Sequence, residues 1–365
     1  MRTWGLALLL ILALAAPACA TDVTAEQAEA LDTEALEEMT EGYLDLDLTG
    51  DLDLNEGLSS LFDQGQAQFG GILRKAVRSG VLLLVIILLC SLSDALQEGL
   101  SAAGGAGLDL ASMVGALGIA AVSAADLNAL IGLGKELIQQ LSAFSNLLMP
   151  TVAAAVSACG APASAAARQT ATLLFSNALM TVIDRLLMPL VYAYVASSAA
   201  YAAVGNDGLK RIADLLRWVV TTVLTGLLLA FTGYLTIAGA AAGSADAMTV
   251  KAAKTAISSM VPVVGGILSD AAETVLAGAG VLRSALGVFG TLGILAFCLI
   301  PFLTLGIHYL VYKVVAVLAS TLARGRVAGL ISSLGGAFGL VLGMAGACAL
   351  LLLISLATAV TMVVP

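Results

Sequence analysis

The sequence predicts an all-α fold, a multipass transmembrane helical bundle of about six to eight spans. Of its 365 residues, 60% are hydrophobic and 11% are charged, and the mean hydropathy is +1.02. A soluble domain carries roughly 25% charged residues, so this composition excludes the soluble classes. The apolar residues also form long runs, as in residues 81–92, 218–231 and 338–364. About 20 helical residues cross a hydrocarbon core about 30 Å thick.

Residues 1–20 have the pattern of a secretory signal peptide. A basic start and an apolar core precede Ala18-Cys19-Ala20, a small-x-small end that predicts cleavage after Ala20. Two alternatives stay open. Cys19 suggests a lipoprotein, although Pro17 interrupts the small residues expected before such a cysteine, and the segment also suits an uncleaved first membrane helix.

Residues 21–56 form an acidic segment that we expect to be flexible and extracytoplasmic. Thirteen Asp and Glu residues and no Lys or Arg lie between Asp22 and Glu56, and blocks of like charge usually stay solvated. The closely spaced aspartates at 45–53 approach a calcium loop, but Thr49 stands where such a loop has Asp or Asn. We therefore favour an acidic spacer and expect no metal site and no cofactor.

The remainder of the chain carries a mild positive excess. From residue 57 onward there are fifteen Lys and Arg against twelve Asp and Glu. No basic stripe is interleaved with aromatic residues, so no nucleic-acid partner is expected and the bilayer is the expected neighbour.

Residues 57–80 predict an amphipathic juxtamembrane helix, because apolar residues recur at near-helical spacing beside basic ones. The polytopic membrane domain fills residues 81–365, with a first span that begins near residue 79. The candidate spans are residues 79–98, 110–133, 141–161, 170–204, 218–242, 285–310 and 337–363. The fourth is long enough to be a broken pair of helices. The Gly-rich region 261–283 predicts a re-entrant or interfacial segment.

The orientation of the loops stays open. Cytoplasmic loops usually carry the excess of Lys and Arg. Basic clusters lie at residues 74–78, 210–217 and 324–326. A cleaved signal peptide would place the first cluster outside, whereas its charge favours the cytoplasm.

Asp184 and Arg185 are the main candidates for chemistry inside the membrane. A charge at the centre of a membrane helix costs about 2.5–3.5 kcal/mol on insertion scales. With Pro189 just after them, a broken helix would give the pair a polar cavity suited to conduction or coupling. The alternative is a turn between two short helices, which would place both residues at a surface.

Two glycine-containing segments suggest close packing or a passage. Gly335, Gly339 and Gly343 recur every four residues, which lets another helix approach closely.

In the second segment, Pro262 and Gly265 interrupt the backbone before Asp270 and Glu273. The two carboxylates suit a helix cap, or a polar segment that lines a passage or docks a partner.

No enzyme is expected. His308 is the single histidine, and the chain lacks a Ser-His-Asp pattern, a clustered-histidine zinc pattern and a Walker lysine loop. If ATP drives any transport, the ATPase is a separate chain.

From residue 254 onward the chain resembles stage III sporulation protein AE, a polytopic membrane protein family of endospore-forming bacteria. The similarity covers residues 57–365 in layout and residues 254–315 in sequence detail. It rests on Val261-Pro262-Val263-Val264-Gly265, Asp270-Ala271, Thr274-Val275, the Leu282, Gly287 and Gly290 run, Pro301 and Tyr312-Lys313.

This resemblance implies a membrane core subunit of the transenvelope channel complex between mother cell and forespore, in the mother-cell membrane around the forespore. The implied complex is similar to secretion systems, with a separate ATPase and ring-forming membrane proteins as partners, and the implied role is permease-like. Two other functions stay open. One is a stand-alone secondary transporter that uses Asp184 and Arg185, and the other is a non-conducting scaffold that holds partner subunits on its Gly-lined helix faces.

Overall fold

The chain is a bundle of long helices in the computed structural model, which describes residues 34–43, 54–101, 110–159, 162–260, 265–322 and 325–360. The helices are α1 Glu34–Thr40, α2 Leu54–Ser101, α3 Leu110–Ala158, α4 Pro162–Val182, α5 Met188–Val204, α6 Asp207–Met260, α7 Gly265–Leu322 and α8 Gly325–Val360. A π-helical turn, Ile183–Leu187, joins α4 to α5. No strand occurs in these ranges, so the all-α prediction is confirmed. The expected signal peptide, residues 1–20, lies outside them.

Six stretches of described helix are long and apolar enough to cross a membrane, which confirms the multipass prediction. They are Leu54–Ser93, Met113–Ala158, Ala165–Val204, Asp207–Ile237, Arg283–Leu322 and Arg326–Val360.

The two spans predicted at 110–133 and 141–161 were wrong, because α3 is one uninterrupted helix. Leu137 and Ile138, between the two predicted spans, are buried, and so is Phe144 just after them. Their spacing keeps one apolar face of the helix on the bundle. The polar residues between them lie on the opposite face.

Other predicted breaks are also helical. Residues 57–80 and the first span run together as α2, and residues 170–204 form one candidate span with a π-helical turn inside it. The part of the Gly-rich region that follows Gly265 belongs to α7. Asp270 therefore lies within this helix and does not cap its N-terminus.

The core lies between α3, α7 and α8, where small residues and aromatic rings meet. The ring of Phe144 on α3 lies edge-on to Phe297 at a centroid distance of 5.3 Å, and 6.4 Å from Phe289. Glycine makes room for this contact, because a Cβ atom at Gly293 would lie 2.8 Å from the Phe144 ring. Close approach of this kind is what stabilises helices against one another in lipid.

Part of the acidic segment expected to be flexible is ordered. In α1, Leu36 is buried in the main core and Thr40 is buried one helical turn later. The ring of Tyr43 then lies edge-on to Phe297 at 4.8 Å. Because Leu36 and Thr40 share one face of the helix, the bundle gains an apolar contact while Glu38 and Glu41 stay exposed. The aspartates at 45–53 lie outside the described residues.

The described residues of the three basic clusters, which are 74–78, 210–217 and Arg326, lie in the same half of the bundle. Gly80, just after the first cluster, packs against Val311 on α7. The charges of Arg217 and Lys313 lie within electrostatic range. Gly205 ends α5 with a φ of 77° and packs against Arg326. All three clusters therefore gather around the C-terminal part of α7.

Candidate functional site

The π-helical turn Ile183–Leu187 widens the helix in the middle of a candidate span. The N–H of Met188 donates a hydrogen bond to the carbonyl oxygen of Ile183, five residues back. Pro189 follows and has no N–H for the carbonyl of Arg185, the acceptor four residues back in an α-helix. The sequence thus prevents regular α-helical bonding here. Turns of this kind inside helices frequently mark functional sites.

Asp184, within this turn, forms an ion pair with Lys135 of α3. The Lys135 Nζ lies 3.3 Å from the Asp184 Oδ1, and the two side chains are 49% and 30% exposed. The π-helical turn brings Asp184 toward α3, while Arg185 is exposed. The structure therefore brings Asp184 together with Lys135 and leaves Arg185 out of that ion pair. The chain stays helical here, so the two residues do not lie in a turn between two short helices.

The ion pair lies far from the ends of both helices that carry it. Lys135 is the twenty-third residue of the span Met113–Ala158, and Asp184 is the twentieth of the span Ala165–Val204. Gly134, next to Lys135, packs against Val341 of α8, and Leu305 of α7 lies at the edge of this contact. Leu305 is eight residues from Lys313, which is roughly 12 Å of helix rise. Both charges thus lie about midway along these two long spans.

The outward face of α3 around Lys135 is polar and small. Between Val122 and Leu147, α3 exposes no large apolar side chain among the residues that the structure describes. Its exposed residues there are Ala124, Ala125, Asn128, Ala129, Gly132, Lys135, Glu136, Gln139, Ala143 and Asn146. We call this the polar face of α3. A helix face in contact with lipid would carry large apolar residues, so the polar face is suited to protein or water.

A second polar contact joins α3 to α7 inside the bundle. The Tyr312 hydroxyl donates a hydrogen bond to the Asp126 Oδ2 at 2.9 Å. Tyr312 is fully buried, and its ring lies edge-on to Phe338 at 4.9 Å. The buried Ser123 hydroxyl lies beside the Tyr312 hydroxyl without a well-formed hydrogen bond. This contact sets the register between the two helices.

The glycine row on α8 packs within the chain. A Cβ at Gly335 would lie 3.1 Å from the Tyr312 Cβ, and a Cβ at Gly339 would lie 3.1 Å from the Tyr309 ring. Gly343 faces Leu224 of α6 at an ordinary 3.9 Å. The first two glycines therefore let α8 approach α7 closely, and their faces are already occupied.

The segment around Pro262 contributes no described side chain to this site. Pro262 itself lies outside the described residues, and Gly265 begins α7. The backbone places Asp270 and Glu273 in the part of α7 that precedes the candidate span Arg283–Leu322. Their side chains lie outside the described part of the structure, so the passage-lining prediction stays a prediction.

Small cavities lie inside the described part of the bundle. Two lie between α3, α4 and α8, and each has room for about one water molecule. Apolar side chains such as Ile138, Leu351 and Met149 form most of their walls. Lys135 lines neither of these two cavities and lies instead on the polar face of α3.

Comparison with known proteins gives one consistent result. The sequence model of the family described as Stage III sporulation protein AE matches residues 51–363. A protein of Bacillus subtilis (strain 168) named Stage III sporulation protein AE is 26% identical over 197 residues. That match covers 54% of this chain and 49% of the relative, so it spans about half of the relative's length. No solved structure matches.

Proposed function

This chain belongs to the stage III sporulation protein AE family, and we propose that it is a membrane core subunit of a sporulation-specific transenvelope channel complex between mother cell and forespore. In this proposal it resides in the mother-cell membrane around the forespore and has a permease-like role that supports forespore development. It performs no catalysis of its own. The family and the six apolar spans support this proposal.

The observation that carries the permease-like role is the Lys135–Asp184 ion pair on the polar face of α3. Two opposite charges inside apolar spans, next to a π-helical turn, are typical of sites that handle polar solutes in membranes. An ionised group at this depth is costly unless protein or water surrounds it. We therefore assign the polar face of α3 to the wall of a polar passage.

Other subunits complete this passage. Among the described residues, the polar face of α3 offers one wall of such a passage. The remaining walls would come from further membrane subunits, with ring-forming membrane proteins and a separate ATPase as the proposed partners of the secretion-like complex.

Sporulation of an endospore-forming host tests the proposal. Deleting the gene should stop sporulation after engulfment. Complementation with Asp184→Asn or Lys135→Met should fail, because each change leaves one charge of the pair uncompensated in the membrane. The matched control, Asp214→Asn, changes an exposed carboxylate on α6 and should restore heat-resistant spores.

The outcomes separate the two parts of the proposal. Normal sporulation of the deletion strain would remove the role in sporulation. If the deletion blocks sporulation but Asp184→Asn and Lys135→Met both restore it, the protein belongs to the complex while the ion pair has no part in passage.

A stand-alone secondary transporter is the second candidate, favoured by the same π-helical turn and ion pair. Purified protein in liposomes should then take up a solute, and Asp184→Asn should abolish the uptake while Asp214→Asn does not. Absence of uptake across a broad panel of solutes would count against this candidate.

A scaffold that holds partners on its Gly-lined faces has less support. Gly335 and Gly339 already contact α7 of their own chain. Gly339→Leu would therefore disturb the bundle itself before it disturbed any partner.

A further inference from the structure

Two ionised side chains next to the Lys135–Asp184 pair are exposed and carry opposite charges. Glu136 follows Lys135 on α3, and Arg185 follows Asp184 in the π-helical turn. Within the part of the chain that the structure describes, neither forms an ion pair or a hydrogen bond. One negative and one positive charge therefore lie on the surface of these spans without a partner among the described residues of their own chain.

Lipid is a poor neighbour for these two groups. Ionised side chains within membrane spans pair with one another, face other helices or line water, because hydrocarbon does not solvate them. On α3 the surface around Glu136 agrees, since Gly132 and Ala143 are small and Gln139 is polar. On α4, Asn177 and Thr181 are also exposed and precede Arg185 at four-residue spacing.

We propose that Glu136 of one copy of this chain forms an ion pair with Arg185 of a second copy. The two charges are self-complementary, so a second copy supplies each with the opposite charge and leaves neither over. The small residues of the polar face of α3 allow the close helix approach that such an ion pair needs. The proposal rests on the membrane placement of α3 and α4, and it holds whether or not the chain conducts.

The self-pairing has a simple geometric consequence. In a two-fold dimer or a closed ring, every Glu136 meets an Arg185 of a neighbouring copy. The Lys135–Asp184 pair of each copy then lies beside the contact, where several copies together would surround the polar passage proposed above.

Charge reversal in two differently tagged full-length chains tests this contact. Glu136→Arg gives a chain with two positive charges here, and Arg185→Glu gives one with two negative charges. Each variant should lose co-purification with itself at least about tenfold after detergent extraction of the membranes, because like charges then meet. A mixture of the two variants should co-purify within about twofold of the wild type, since opposite charges meet again.

The mixture separates contact between copies from contact within one chain. If the double variant Glu136→Arg/Arg185→Glu associates with itself but the mixture does not, the ion pair forms within one chain and the proposal is overturned. If the single variants associate like the wild type, the two charges face lipid, water or another protein, which also overturns it. Lys210→Glu, an exposed reversal near the end of the bundle, is the matched control and should change nothing.

A milder pair of variants covers the case in which a reversed charge prevents folding. Chains carrying Glu136→Cys and chains carrying Arg185→Cys are co-expressed and treated in native membranes with a short bifunctional thiol reagent. A product that joins the two tags above the wild-type background supports the contact, and its absence refutes the contact. The wild type is the necessary background because it has cysteines of its own, including the partly exposed Cys90 and Cys159.

Discussion

Replacing Tyr312 with Phe removes one hydroxyl from the contact between α3 and α7 and leaves the shape of the core almost unchanged. The Tyr312 hydroxyl donates to the Asp126 Oδ2 at 2.9 Å, and the ring lies edge-on to Phe338 with an interplanar angle of 85°. The Phe ring keeps that aromatic contact. The free energy of unfolding should therefore change by the value of the hydrogen bond.

Two known ranges of hydrogen-bond strength bound the expected loss in the free energy of unfolding. Hydrogen bonds to charged groups contribute about 1.5–3 kcal/mol in soluble proteins. Hydrogen bonds between membrane helices average about 0.6 kcal/mol and reach about 1.7 kcal/mol. Asp126 is half-buried, so water or headgroups can solvate its carboxylate once the hydroxyl is gone. We therefore expect Tyr312→Phe to lower the free energy of unfolding by about 1.5 kcal/mol, where the two ranges meet.

Reversible unfolding in lipid bicelles by added denaturing detergent measures this change. Tyr194→Phe is the matched control, because Tyr194 is a buried tyrosine whose hydroxyl has no described hydrogen bond. It should cost under about 0.5 kcal/mol. Equal losses for the two variants would refute the assignment of a stabilising hydrogen bond between Tyr312 and Asp126.

Three further predictions use other parts of the fold. Gly290→Val should lower the free energy of unfolding by about 1–3 kcal/mol, because a Cβ atom at this position would lie 2.8 Å from two leucine side chains. The control Gly346→Val, where the space is open, should cost under about 1 kcal/mol in the same bicelle assay. Equal costs for the two variants would contradict the packing at Gly290. Val204 is exposed beside the basic end of the bundle, and basic ends usually face the cytoplasm. The variant Val204→Cys should therefore react with a membrane-impermeant maleimide in inside-out vesicles and not in whole protoplasts. The opposite result would show that this end of the bundle faces the other side of the membrane. Pro189→Ala should lower spore counts as far as loss of the ion pair does, because the new N–H lets the π-helical turn close into an α-helix. The control Pro150→Ala in α3 should leave the spore counts unchanged. Normal counts for both variants would show that the π-helical turn is dispensable.

The fold class could be predicted from the sequence, but the division into spans could not. The composition and the length of the apolar runs predict a membrane protein, and this prediction does not depend on which helices contact one another. A hydropathy average includes all faces of a helix, so the polar stretch at 134–140 predicts a break between two spans. In the structure Leu137 and Ile138 of that stretch are buried, while Lys135 and Glu136 are exposed. The helical periodicity of the apolar residues through this stretch indicates that α3 is one continuous helix.

The site could be predicted only in part for a different reason. Asp184 and Arg185 stood out because they are ionised within an apolar region, and Pro189 indicated the distortion beside them. The partner of Asp184 is 49 residues earlier, on another helix, and only the packing of α3 against the π-helical turn selects Lys135. The glycine rows showed that helices approach closely, but they could not show that Gly339 faces its own chain.

Two outward surfaces of opposite character show which parts of the bundle suit lipid. On α6, Leu229 and Ile237 are 68% and 74% exposed, as expected of helices that contact acyl chains. The polar face of α3 exposes no such residue between Val122 and Leu147 in the described structure, and it carries ionised groups instead. A single bundle in lipid would leave those groups against hydrocarbon, at a cost of about 2.5–3.5 kcal/mol for each unpaired charge at mid-depth. The arrangement becomes favourable when another subunit or water covers that face.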